Sequence, residues 1–308
     1  MYNRKIVPSI SLFWILIFFS VAQAQERSII VNAVKNQNNS IEISYEKFKP
    51  GTYTVSLKFK NLENTSSSDI EKVVKDKSGI LCTLRPRDPN KGIGYSYSVS
   101  YVPGNFKAKV DSTYRYLLPF KNAKNYVVYE SKNVYEVYFN KKKDIEFKSY
   151  AIRAKNPDSI YAMRKGIVIE VANKQSNKTY EDELVFTTDR NSMRVEHEDG
   201  TYANYNGFKS SSISVKEGDT VYPSSFLGVI DEFNKEYYLL NFDIYYPVKE
   251  INNNDHKSML SHNYLTPYFH TTEGDVQLVN GEEYTALVKE EFISTEMSKK
   301  EIKAFLKR

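Results

Sequence analysis

The sequence is poor in the residues on which many enzymes and small disulfide-rich scaffolds depend. The 308-residue chain has one cysteine, four histidines and 12 glycines, and no histidine precedes His197. A single cysteine excludes a framework of intrachain disulfides. The H-E-x-x-H, G-x-S-x-G and P-loop patterns are all absent. The sequence therefore contains none of the motifs by which H-E-x-x-H zinc proteases, G-x-S-x-G serine hydrolases and P-loop nucleotide-binding proteins are recognised.

The sequence also lacks a large excess of charge of either sign. Lys and Arg number 43 and Asp and Glu number 38, so the formal net charge is only +5. Such a balance does not indicate a nucleic-acid partner. Carboxylates are plentiful, but no catalytic pair can be identified from their spacing, so a glycosidase has no support.

The N-terminus carries the one marked apolar run. Arg4 and Lys5 precede an apolar stretch over residues 10–21, which ends at Ala22-Gln23-Ala24. This order predicts a signal peptide over residues 1–24, with cleavage after the small-x-small pattern. The run is shorter than the roughly 20 residues that a bilayer span needs, so we expect no membrane span after its removal. We expect export to the periplasm, the outer envelope or the medium; an uncleaved anchor is the alternative.

Aromatic residues are abundant, with 25 tyrosines and 17 phenylalanines. They favour β-structure, because aromatic rings pack well on pleated surfaces; a glycan- or peptide-binding groove is the alternative use. Residues 52–60 and 95–101 alternate apolar and polar side chains, which is typical of half-buried strands. The sequence therefore predicts an antiparallel β-sandwich over residues 25–111.

The rest of the chain predicts a second all-β domain and a short extension. Strand and turn signals recur every 8–12 residues or so over residues 112–250. The extension, residues 251–308, ends in a predicted short helix, since Ser298 and Glu301 have the spacing of a capping box. Ile302, Phe305 and Leu306 form an apolar stripe, which predicts docking of that helix on the β core.

Four ordered blocks carry a family resemblance. Residues 195–205 resemble the pattern I-x-H-x-D-G-T-x-A-x-Y, and residues 239–244 stand where H-L-H-F-E-V is expected. Residues 160–171 and 215–221 match two further blocks of the same series. Together they resemble the lysostaphin/LytM-type zinc endopeptidases. The resemblance implies an antiparallel β-sheet fold with one zinc ion in a shallow groove, and cleavage of peptide cross-links in bacterial cell walls.

The sequence departs from that family at the positions that carry its chemistry. Arg153 stands at the metal-binding aspartate, Gly207 at the Y-x-H histidine, and Leu239 and Asn241 at the two H-x-H positions. The upstream histidine ligand has no counterpart, and only Asp243 keeps its acidic character. A catalytic zinc ion needs three protein ligands, so we expect no zinc although the family implies it. Residues 231–238 contain no glycine, so a remodelled loop is expected before the H-x-H position.

These departures predict a binding protein without catalytic activity. We expect Arg153, Tyr205, Asn241 and Asp243 to line a degenerate groove that binds a peptidoglycan peptide or an envelope protein. Arg153 would pair with a peptide carboxylate or with Asp243. An active cell-wall metalloendopeptidase with non-standard ligands and a purely structural envelope protein are the alternatives.

The remaining histidines offer one further alternative. His256 and His262, with Asp255, would make a surface metal site, although their spacing matches no zinc motif. A solvated loop is the simpler interpretation. His197 matches a structural position of the family, on a strand before a turn.

Overall fold

The computed structural model describes residues 28–131, 147–173, 189–251 and 258–307. The protein is all-β, with two short helices near its C-terminus. Within these ranges no helix is long and apolar enough to span a membrane. The predicted signal peptide and the pair Asp255 and His256 lie outside the described residues, so both stay predictions.

The N-terminal sandwich, residues 28–111, consists of two three-stranded antiparallel sheets. Its strands are β1 (Ile29–Lys35), β2 (Ile41–Lys47), β3 (Tyr53–Glu63), β4 (Ile70–Val74), β5 (Ser78–Leu84) and β6 (Gly94–Pro103). The sheet orders are β1-β2-β5 and β4-β3-β6. Tyr53, Val55 and Leu57 alternate along β3 and are buried in the core between the sheets. The strand predicted from period-two alternation is therefore confirmed.

A nine-stranded antiparallel sheet forms the centre of the second part. Its strands are β8 (Asn125–Glu130), β9 (Tyr150–Ala154), β11 (Gly166–Ala172), β12 (Asn191–Glu196), β13 (Tyr202–Phe208), β14 (Thr220–Val221), β16 (Tyr238–Ile251), β17 (Ser258–Tyr264) and β20 (Glu283–Thr285). Their order is β14-β11-β12-β13-β16-β9-β8-β20, and β17 pairs with the far half of β16. Strands β13, β16 and β9, which carry most of the predicted site positions, are neighbours at its middle.

Two smaller sheets cover one face of this sheet. They are built from β7 (Arg115–Leu117), β10 (Ser159–Tyr161), β15 (Phe226–Val229), β18 (Tyr268–Thr271) and β19 (Gly274–Gln277). Strands β10 and β15 pair with each other, and β18 lies between β19 and β7. Tyr150 and Phe242 of the large sheet share one core with Phe269 and Leu278 of the C-terminal extension. The extension therefore completes the same hydrophobic core as residues 112–250.

The C-terminus contains helices α1 (Glu290–Ser294) and α2 (Lys299–Phe305). The predicted capping box is present: Ser298 N donates to Glu301 Oε2 at 2.6 Å, and Glu301 N donates to Ser298 Oγ at 3.3 Å. The apolar stripe is covered only in part: Ile302 and Phe305 are half-buried, α2 has no fully buried residue, and Leu306 is 74% exposed. The helix is also attached by its carboxylate, because Glu301 accepts hydrogen bonds from Lys165 Nζ and Tyr222 Oη.

The N-terminal sandwich contacts the sheet at the Glu196 end of β12. Thr52 N donates to Glu196 Oε2 at 2.7 Å, with both groups buried. Gly51 has φ +88°, and a Cβ there would lie 2.8 Å from the same carboxylate oxygen. Only glycine fits this close approach. The sandwich therefore lies away from the Asn191 end of β12, where the predicted site positions meet.

Candidate binding groove on the outer face of the sheet

Alternation along β16 assigns its side chains to two faces. Leu240, Phe242 and Ile244 are buried in the core, at 0–1% exposure. Leu239, Asn241 and Asp243 are only half-buried and must point to the opposite face. We call that side the outer face of the nine-stranded sheet.

Strand register brings the predicted positions together on this face. Arg153 of β9 lies opposite Leu239, and Asn206 of β13 lies opposite Asn241. Gly207 follows Asn206 directly. The four positions that the family resemblance links to metal and proton chemistry therefore form one local cluster, although they are far apart in sequence.

Arg190, which the sequence analysis did not single out, lies in the middle of this cluster. Its guanidinium donates to the Leu239 carbonyl oxygen through Nη2 and to Asn241 Oδ1, 3.2 Å away, through Nη1. The same group lies over the Phe233 ring, 5.4 Å from its centroid, and the residue is 9% exposed. A buried cation thus occupies the space between the two H-x-H positions and Gly207.

Gly207 shows how tightly Arg190 fits. Its φ is +118°, and a Cβ there would lie 2.3 Å from both Arg190 Nη2 and the Leu239 carbonyl oxygen. Gly218 also has positive φ, +93°, but a Cβ there would meet nothing within 4 Å. A histidine side chain at position 207, as the family has, is therefore incompatible with this backbone and with Arg190.

We predict that Gly207→Ala destabilises the fold by about 2–3 kcal/mol, because strain and overpacking add at this position. Gly218→Ala carries the strain without the contact and is expected to cost about 1 kcal/mol. Urea denaturation of both variants measures the difference. Equal costs would show that Arg190 does not crowd Gly207.

The loop before β16 is rebuilt around an asparagine. Asn234 Oδ1 accepts hydrogen bonds from the backbone N–H groups of Glu236 and Tyr237, both at 3.0 Å. The rings of Phe233 and Tyr237 stack, with centroids 5.6 Å apart. No residue of 231–238 has positive φ. The turn therefore forms without glycine, as the sequence predicted for a remodelled loop.

Arg153 is an exposed cation held between aromatic rings. Its guanidinium carbon lies 4.7 Å from the centroid of Tyr237 and 5.2 Å from that of Tyr129. Among the described residues it makes no ion pair with Asp243, since Leu239 is its neighbour in the register. Such stacking holds the guanidinium in place, and the side chain remains exposed to solvent.

Asp243 lies further along the same face and lacks a full set of partners. Asp243 Oδ1 and Asn206 Oδ1 are buried oxygens that accept no hydrogen bond in the part of the chain described. Burial raises the pKa of the Asp243 carboxyl to about 7, against the lowering effects of Arg194 and Asn204. The outer face thus carries half-buried polar residues at Asp243 and Asn206 and cations at Arg153 and Arg190.

Tyr205 does not belong to this face. It pairs with Phe242, is fully buried in the core, and accepts a hydrogen bond from Met163 N at 2.9 Å. Because faces alternate along β13, Asn204 and Asn206 take the outward positions. Of the four predicted binding residues, the structure brings Arg153, Asn241 and Asp243 to the outer face.

The residues at this cluster do not fit the zinc ion that the resemblance implies. Leu239 and Gly207 offer no side-chain ligand, Arg153 is a cation, and Asn241 Oδ1 accepts from Arg190. Over the described ranges, no three His, Cys, Asp or Glu side chains lie close enough to hold a metal. The donor set required for catalytic zinc is therefore missing from this cluster.

Solved structures similar to this chain include an M23 metalloprotease. That protein is pseudoalterin from the deep sea, at 14% identity and TM-score 0.28 over 50% of this chain and 98% of that chain. Csd3 from Helicobacter pylori is similar over 91% and 78% of the two chains, at 10% identity and TM-score 0.30. A chain of the SpoIIIAH–SpoIIQ complex is similar over 47% and 96%, at 17% identity and TM-score 0.28.

No family model and no curated protein matches the chain. The function is therefore argued from the residues of this chain.

The buried histidine of the second block has a structural place. His197 follows β12 and is 2% exposed, and its Nδ1 lies 2.9 Å from Thr201 Oγ1 in the turn to β13. Burial, together with the nearby Arg164, lowers the pKa of the His197 imidazole to about 3. The ring is therefore neutral at physiological pH and closes the turn, at a distance from the outer-face cluster.

Proposed function

We propose that the protein is a peptidase-like binding protein of the cell envelope, which holds a cell-wall peptide without cleaving it. The observation that carries the proposal is the Arg190 guanidinium, which bonds Leu239 O and Asn241 Oδ1. A fixed cation at this place repels a metal ion, so the groove suits binding without metal-assisted cleavage. Export, supported by the N-terminal apolar run, would bring the protein to its ligand.

The outer face has the chemistry that an extended peptide requires. Arg153 lies opposite Leu239, four residues before Asp243, or roughly 13 Å along the strand at the usual rise per residue. The arginine end suits a peptide carboxylate, since guanidinium donors match carboxylate oxygens. Towards the other end of this distance, Asn206 and Asp243 are half-buried polar residues, whose side chains would hydrogen-bond with backbone N–H groups of a peptide. A peptide of about four residues spans this distance.

Arg153→Ala is expected to weaken binding to purified peptidoglycan by about tenfold, the loss of one charge-assisted hydrogen bond. The side chain is exposed, so folding should be preserved. Arg87→Ala, at an exposed arginine of the N-terminal sandwich, is the matched control and should bind as the parent does. Co-sedimentation with insoluble peptidoglycan measures the bound fraction.

Two outcomes would contradict the proposal. If the parent protein does not bind peptidoglycan, peptidoglycan is excluded as the ligand. An envelope protein as ligand, or a purely structural role, would then remain. Stoichiometric zinc in the purified protein, together with cell-wall cleavage that a chelator abolishes, would restore the peptidase. Elemental analysis and a turbidity assay of peptidoglycan digestion decide the second case.

A further inference from the structure

Strand β6 is an edge strand without the usual protection. It is ten residues long and pairs with β3 on one side. No other described strand pairs with its second side. Residues 94–102 contain no Lys, Arg, Asp or Glu, and proline occurs only at Pro103, its last residue. Soluble proteins usually guard long edges with charges, proline or a covering element, so an unguarded edge indicates a strand that pairs with something.

The sequence of β6 is self-complementary. Apolar or aromatic residues alternate with serines, and the alternation is the same from either direction about Ser98. An antiparallel copy centred there would pair Ser98 with itself, Tyr97 with Val99, Ser96 with Ser100, and Tyr95 with Tyr101. Within residues 95–101 every tyrosine or valine would meet a tyrosine or valine, and every serine a serine. This match of faces is what specifies register in antiparallel sheets.

The exposed apolar side of β6 also needs a cover. Val99 is 40% exposed, although its neighbour in the register, Leu57, is fully buried in the sandwich core. Tyr95 and Tyr97 stack beside it, with ring centroids 6.2 Å apart, and are only half-buried. A strand added at this edge would extend the sheet and shield these side chains from water.

We infer that β6 pairs with β6 of a second copy of the chain, antiparallel and two-fold symmetric about Ser98. The order β4-β3-β6 in each copy would join into one six-stranded sheet. The contact is isologous, so it pairs the free side of β6 in both copies and closes as a dimer. It lies on the N-terminal sandwich, and the inference is independent of the ligand proposed for the outer face.

Charge at Ser98 tests this arrangement. Its side chain is exposed and points away from the core, so Ser98→Lys should fold, yet it would place two lysines opposite each other in the dimer. We expect the dissociation constant to rise about a hundredfold, because like charges directly opposed disfavour association. Ser78→Lys, at an exposed serine on edge strand β5, is the matched control and should stay dimeric. Light scattering coupled to size-exclusion chromatography reports the mass.

Mixing opposite charges and cross-linking complete the test. Ser98→Lys and Ser98→Glu, each monomeric alone, should form a heterodimer when mixed. Ser98→Cys in a Cys82→Ser background should cross-link on oxidation, because directly opposed strand residues lie within disulfide reach; Ser78→Cys should not. A monomeric parent protein, a dimer that survives Ser98→Lys, or equal cross-linking at both positions would overturn the inference. A monomer that binds an extended peptide at β6 would do so as well.

Discussion

Arg164→Met is expected to lower the free energy of unfolding by about 3–5 kcal/mol, the usual cost of removing one partner from a buried ion network. The Arg164 side chain is 3% exposed and bonds two carboxylates, Glu296 at 2.7 Å and Asp199 at 2.9 Å. Its Nη1 also donates to Tyr116 Oη at 3.1 Å, and its guanidinium carbon lies 3.6 Å from the Tyr114 ring centroid. Removal would leave two shielded carboxylates without their cation.

The network explains how the C-terminal segment is attached. Glu296 lies between the two short helices, and Asp199 lies in the turn between β12 and β13. Although burial raises it, the pKa of Asp199 is held below its usual value by Arg164 and by hydrogen bonds from Thr201. Arg164 therefore holds the tail to the sheet, where the sequence predicted apolar docking of the last helix.

Lys165→Met is the matched control for Arg164→Met. Lys165 is the next residue and forms an ion pair with Glu301 at 3.0 Å. The Lys165 side chain is 20% exposed and the Glu301 side chain is 27% exposed. A pair so accessible to water contributes about 0–1 kcal/mol. Urea denaturation of both variants compares the two costs. Similar values would show that the tail is held equally by both ion pairs.

The sequence predicted those parts of the fold that depend on local pattern. Alternation identified Tyr53, Val55 and Leu57 as core residues, because period two requires one face to be buried. The capping box at Ser298 follows from spacing within one helical turn. The docking of that helix could not be predicted in the same way, because it depends on Lys165 and Tyr222, which are distant in sequence.

The candidate site was predictable only in part. Family motifs located Arg153, Leu239 and Asn241 by order and spacing, and strand register then brought them together. Arg190 belongs to no motif, and its role arises from long-range contacts with residues about 50 positions away. The motif also predicted Tyr205 in the groove, but regular alternation along β13 sends it to the core opposite Phe242. A check of alternation against Asn204 and Asn206 would have separated the two faces.

Asp243→Asn is expected to raise the free energy of unfolding more at pH 8 than at pH 4. The difference between the two effects should be roughly 3–4 kcal/mol, on the scale of 1.36 kcal/mol per pKa unit. Burial raises the pKa of Asp243 in the folded protein to about 7, from an ordinary value of 3.8. Between these two pKa values the Asp243 carboxyl is ionised in the unfolded chain but keeps its proton in the folded protein. The folded state thus binds more protons, and stability falls as pH rises through this window.

Asparagine cannot ionise, so the stability of the variant does not fall with pH on account of this group. Its advantage over the parent in free energy of unfolding should grow between pH 4 and pH 7 and stay constant above pH 7. The groups that face Asp243 are Arg194, Asn204, Tyr245 and Tyr264, and both proteins retain them, so their own titration cancels in the comparison. Asp199→Asn is a control of opposite sign, because the pKa of Asp199 is lowered in the folded state: its cost should be full at neutral pH and shrink as pH falls. Urea denaturation at several pH values measures both variants. A difference between Asp243→Asn and the parent that does not change with pH would mean that Asp243 is ionised in the folded protein throughout, and that its buried oxygen has a donor.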